Sequence, residues 1–122
     1  MDAEIIPPFS LPPIYHHWLE RVRKYPMFDI WRGGTLCAVR LTYILEPVEG
    51  ERNIFLHRLR LRIDSPEEYL PLGYDTFGNL LAWNVREGGV YFFWHAEGFP
   101  AYRVAPSLEE MCHRLYYRPL SA

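Results

Sequence analysis

At 122 residues and 14.5 kDa the chain has room for one domain that buries roughly two thirds of the surface its unfolded form exposes, so it needs no disulfide to fold. Hydrophobic residues make up 49% and charged residues 23%, which excludes a disordered tail and a membrane span, and a formal charge of −2 is too small to steer a polyanion by net field alone. Aromatic content of 16% is high, and rigid rings are what sheet cores and protein interfaces both favour.

Residues 1–12 carry prolines at 7, 8 and 12 and read as an extended, stiff segment leading into the domain. Met1 is followed by Asp2 and Glu4, with no cationic start, apolar stretch or small-residue cleavage site, so a cytoplasmic protein with no membrane partner is expected. Pro13 suits a first helical turn, and Ile14, Trp18, Val22 and Tyr25 recur at helical spacing until Pro26 ends the run. Gly33-Gly34 punctuates the chain before "TLCAVRLTYIL", whose β-branched and aromatic residues predict a strand over 35–45. "EPVEGE" is a loop. Residues 53–63 fit two readings. Alternation sets Phe55, His57, Leu59, Leu61 and Ile63 opposite Arg58, Arg60 and Arg62, whereas a helix aligns Phe55, Leu59 and Ile63. "EYLPLGYD" follows as a short extended stretch.

The segment from Leu80 to His95 predicts a hairpin. A two-residue loop at Glu87-Gly88 sets Val85 opposite Val90, Trp83 opposite Phe92 and Leu81 opposite Trp94, and a loop at Gly88-Gly89 shifts the partners by two. Either register gathers Leu81, Trp83, Val85, Val90, Phe92 and Trp94 on one dry face. The reverse face holds Leu80, Ala82, Asn84, Tyr91, Phe93 and His95, a half-polar mixture to be covered by a helix or offered to a partner. "AYRVAP" reads as a last strand. Ser107 and Glu110 then form a capping box ahead of Leu108, Met111, Cys112 and Leu115, an apolar stripe that must lie on the sheet. The fold class is therefore α+β: one domain, 1–122, with an antiparallel or mixed sheet of about four to six strands between N-terminal and C-terminal helices.

Reactive chemistry finds little support. Asp75-Thr76-Phe77-Gly78-Asn79 lacks the alternating oxygens of a calcium loop and the Lys-Ser or Lys-Thr of a phosphate loop, while an Asp bonding its own turn explains the same residues. His16, His17, His57, His95 and His113 form no metal-ligand spacing, and no metal or cofactor is expected. Cys37 and Cys112 stand in no CxxC pattern and are expected as thiols in a reducing compartment. Of the serines, Ser107 has the cap and none sits in a nucleophile motif. Glu109-Glu110 is explained by the helix dipole. Arg58, Arg60 and Arg62 form a basic cluster, read as a solvated face given the acidic balance, and no nucleic-acid partner is expected.

The run "YLPLGYDTFGNLLAWNVREGGVYFFWHAEG" with "RVAPSLEEMCHRLY" resembles the SUKH superfamily, which includes yeast cell-wall assembly regulators and many bacterial immunity proteins. The matching features are the Leu-Pro-Leu-Gly-x-Asp approach, the Asp75-x-x-Gly78-Asn79 corner, the Val85 to Tyr91 hairpin with its glycines and the Ser107-Leu108-Glu109-Glu110 helix start, over about 70 to 116. Upstream, Leu11-Pro12-x-x-Tyr15-x-x-Trp18-Leu19 resembles the family's first helix. The resemblance implies helix over 53–63 and a compact, non-enzymatic α+β domain. It also implies binding and neutralisation of a cognate toxin of nuclease or deaminase type, as in polymorphic toxin systems; the alternative is an intracellular interaction and regulatory module of the cell-wall assembly regulator type. Binding then rests on aromatic anchors within a polar rim. Tyr74, Asp75, Tyr91, Phe93, His95 and Glu97 are the expected partner contacts, since the hairpin's second face and its adjoining turns are the surfaces expected to stay uncovered.

Overall fold

A computed structural model describes residues 11–47, 54, 63, 65–95 and 101–119. The helix-or-strand question over 53–63, with His57 and the three arginines, lies outside them apart from Ile54 and Ile63, as does nearly all of the proline-rich segment 1–12.

Helix α1 (Pro13–Lys24) begins at a proline, whose missing N–H is not needed in the first turn. Its buried face is Tyr15, Trp18, Leu19 and Val22, rotated from the predicted one: Ile14 is half-buried, and Tyr25 has left the helix. With φ −130° Tyr25 caps the C-terminus through its N–H to the Arg21 carbonyl, and its ring lies 4.6 Å beneath the Arg21 guanidinium.

Strand β1 (Met27–Arg32) is an element that the sequence pattern did not reveal. It pairs with β2 (Thr35–Ile44) across Gly33 and Gly34, both at positive φ (58° and 83°), as a tight two-residue hairpin turn requires. β3 (Tyr69–Asp75), β4 (Leu80–Asn84), β5 (Val90–Phe93) and β6 (Tyr102–Ala105) complete a six-stranded antiparallel sheet in the order β1-β2-β3-β4-β5-β6. Gly73 lets β3 approach β2, since a Cβ there would lie 2.8 Å from the Tyr43 carbonyl oxygen. The sheet curls until it is nearly a barrel: the Trp31 N–H in β1 donates to the Tyr102 hydroxyl in β6 at 3.2 Å. Helix α2 (Leu108–Arg114) follows, and Tyr116 beyond it bridges back to Met27 at the start of β1. The fold is α+β, and no described helix is long and apolar enough to cross a membrane.

The concave face and both helices bury one cluster that includes Trp18, Phe28, Leu72, Leu81, Phe92 and Met111. Phe92 meets Phe28 edge-on at 5.8 Å and Trp94 at 4.9 Å, contacts that add roughly 0.5–1.5 kcal/mol each beyond their buried area. The Ser107 hydroxyl accepts the Glu110 N–H at 3.0 Å, as the cap predicts. The reciprocal half of the capping box is not made, because the Glu110 carboxylate turns to Arg114 one helical turn on.

The hairpin departs from both predicted registers. Trp83 lies opposite Val90 and Leu81 opposite Phe92, so Val85–Gly89 forms a five-residue loop. Asn84 causes this: its Oδ1 accepts the N–H groups of Arg86 and Glu87, and its backbone carbonyl accepts that of Gly88, which widens the turn. A register change of two keeps side chains on their faces, so Leu81, Val90 and Phe92 are buried in the core, with Trp83 and Trp94 packed against it. Val85 is the exception; it falls in the loop and is 40% exposed.

The reverse face is covered rather than open. Leu80, Ala82 and Phe93 form a second buried cluster, with Ile63, Tyr69, Tyr74, Tyr91 and Ala101 against it.

Candidate functional site

In an antiparallel meander alternate connections fall at the same end, so the Gly33-Gly34 turn, the Asp75–Asn79 corner and the last residues of β5 share one end of the sheet. The corner is built by its own side chains. Asp75 Oδ1 accepts the N–H groups of Phe77 and Asn79 at 2.9 Å each, and Oδ2 accepts Asn79 Nδ2 at 2.9 Å. Gly78, at φ 84°, turns the chain back, and the Asn79 carbonyl accepts the Asp75 N–H. Asn79 Oδ1 then accepts the His95 N–H at 2.6 Å, which fixes the end of β5 to the corner. Beside it the Arg32 guanidinium lies 4.2 Å over the Trp94 ring, which joins the β1–β2 turn to the same surface.

The structure brings together three of the expected contacts, buries a fourth and sets a fifth toward the other end. Asp75 and His95 meet through Asn79, and Tyr74 stands next to them, half-buried against Tyr43. Burial, then the neighbouring Tyr43, pushes the Tyr74 phenol above its ordinary value. Asp75 spends both oxygens on the corner, so its role is to shape the bend. Phe93, at 8% exposure, lies in the second cluster, and the expectation of an uncovered anchor there is overturned by the packing of the reverse face. Tyr91 lies toward the opposite end, its hydroxyl donating to Glu87 Oε2 at 3.1 Å. Glu97 lies outside the described residues.

Three larger apolar side chains at the corner end escaped sequence reasoning: Phe77 is 79% exposed, Trp31 56% and Leu36 51%. Trp31 and Leu36 are directly opposed across the β1–β2 ladder. For Phe77 the signal was present, because a side chain two residues into an Asp-x-x-Gly turn has no face of a sheet to sit on. No protein-family model, curated protein or solved structure matches the chain. The SUKH resemblance therefore stands on the residues quoted for it.

The polar groups described at this end are largely engaged in the corner itself. His95 is engaged through its backbone, Asp75 through both oxygens, and no three His, Cys, Asp or Glu side chains converge among the described residues. What it presents is apolar surface on a hydrogen-bonded frame: Phe77 on the Asp75 turn, and Trp31 and Leu36 on the paired strands β1 and β2.

Proposed function

We propose that the protein is an immunity-type binding module that occludes a cognate toxin domain, with Phe77, Trp31 and Leu36 as anchors and Tyr74 and His95 at their rim. The observation that carries the reading is the exposure of these three large apolar side chains at the end where the hydrogen-bonded corner sits. Soluble domains seldom leave a Trp and a Phe open to water at one end without use, and anchors of this type dominate interface energies. The SUKH-like order of motifs supports a toxin as the partner and occlusion as the mechanism.

The test is co-expression with the toxin whose gene lies immediately beside this one. The wild-type chain should rescue growth, and Phe77→Ala and Trp31→Ala should each weaken binding about thirtyfold, the effect of a hot-spot residue worth 2 kcal/mol. Without such a neighbouring gene, or without rescue, the regulatory module becomes the better reading. Turnover of a nucleotide or ester that is lost in Asp75→Ala or His95→Ala would sink the binding-only reading.

A further inference from the structure

We propose that the chain pairs with a second copy of itself through the open edge of β2, the two strands running antiparallel about a two-fold axis at Cys37. The direction of each backbone group in β2 follows from hydrogen bonds around it. Met27 exchanges N–H and C=O with Tyr116, Trp31 donates its N–H to the Tyr102 hydroxyl, and Leu41 donates to the Pro26 carbonyl. Met27 and Trp31 thus point their backbone groups away from β2. Their cross-strand partners Arg40 and Leu36, with Ala38 between them, must point theirs away from β1. β3 joins β2 only from the Leu41–Asp75 pair onward. Among the described residues no strand lies beyond Leu36 and Ala38, so each turns one N–H and one C=O outward.

Water can satisfy such a row one group at a time, whereas an extended backbone satisfies it as a whole. Natural sheets guard open edges with lysine, proline, bulges or inward charge, and Thr35-Leu36-Cys37-Ala38-Val39 has none of these. The strand is also complementary to itself. With Cys37 on the axis, Leu36 of one copy meets Ala38 of the second copy in a hydrogen-bonded pair, and the reciprocal pair follows by symmetry, with no like charges opposed. Further along, Gly34 of the second copy comes opposite Arg40, where β3 takes over the edge; the added strand ends where its room ends. Trp31 and Leu36 share the outward face, so pairing brings a second set alongside the first as one apolar ridge. The inference rests on the backbone and sequence of β2 and stands whether or not the toxin reading does.

The axis supplies its own probe. The two Cys37 residues form a non-hydrogen-bonded pair with Cα atoms about 4.5 Å apart, within disulfide reach. Mild oxidation of the purified chain should give a crosslinked dimer that Cys37→Ser abolishes and Cys112→Ser leaves. Light scattering should find a dimer whose dissociation constant rises at least about tenfold in Ala38→Pro, which removes an outward N–H that the single copy does not use. Leu36→Lys should act alike through charge, and it separates loss of pairing from a folding defect caused by the proline. A chain that stays monomeric at its solubility limit overturns the proposal. So does a dimer that survives both edge variants and gives no Cys37 crosslink.

Discussion

Two corners bracket β4, and their chemistry is alike. In each, a side-chain oxygen of an Asp or Asn accepts two backbone N–H groups: Asp75 from Phe77 and Asn79, Asn84 from Arg86 and Glu87. In each, a glycine at positive φ completes the bend, Gly78 at 84° and Gly88 at 103°. They differ in what surrounds them. The Asn84 loop is tied into its neighbours, with Glu68 reached by Asn84 and Arg86, and Trp83 Nε1 donating to the Gly88 carbonyl at 3.1 Å. The Asp75 corner is tied to the end of β5 and extends Phe77 into water. Local turn physics thus fixes a bend, while surrounding contacts decide whether the bend serves packing or display.

The largest effect should come from removing the organising side chain. Asp75→Ala breaks three hydrogen bonds to an ionised group and should cost about 2–3 kcal/mol in urea unfolding, against about 1–2 kcal/mol for Asn84→Ala, whose bonds are mostly neutral. The reverse order would mean that the packed loop, not the displaying corner, is the better-fixed bend. The glycines come next. Gly78→Ala and Gly88→Ala should each cost about 1–2 kcal/mol, and Gly88 should cost more because its φ lies farther from the left-handed region that alanine can enter.

The two phenols beside these corners give a pH comparison. The pKa of Tyr91 is raised by burial, then by its hydrogen bond to Glu87 and the charge of Glu87; that of Tyr74 is raised by burial, then by Tyr43. In both cases the unfolded chain releases the proton first. Above about pH 10, therefore, the unfolded state binds fewer protons and stability falls as pH rises. Glu87→Gln should lower the alkaline midpoint of Tyr91, followed by phenolate absorbance, and leave that of Tyr74 in place.

What sequence could reveal divides along the same line. The Asp75 corner was legible because an Asx turn is made by residues within reach of one another, and the Ser107 cap for the same reason. The faces of the β4–β5 hairpin were legible because period-two alternation survives a register change of two; the register was not, since the Asn84 side chain lengthened the loop without altering the pattern. β1 was missed because Met27–Arg32 offers only Phe28 and Ile30 as inward positions between a proline and a glycine pair, too short a run to declare a period. The burial of Phe93 depends on tertiary cover over the reverse face, which no local pattern encodes. Candidate contacts read from the hairpin faces were therefore the least secure part, and the large exposed apolar side chains lie instead in the Asp75 corner and beside the Gly33-Gly34 turn.

Phe77 should show the smallest change in stability and the most specific one in function. With 79% of its surface already in water, Phe77→Ala removes almost no burial, and its N–H to Asp75 Oδ1 is a backbone bond that the substitution keeps. The unfolding free energy should move by less than about 0.5 kcal/mol. A larger loss would mean that the ring packs in the folded chain and is no free anchor. An unchanged fold combined with lost partner binding would assign the ring to recognition, because the corner holding it would be intact in both proteins.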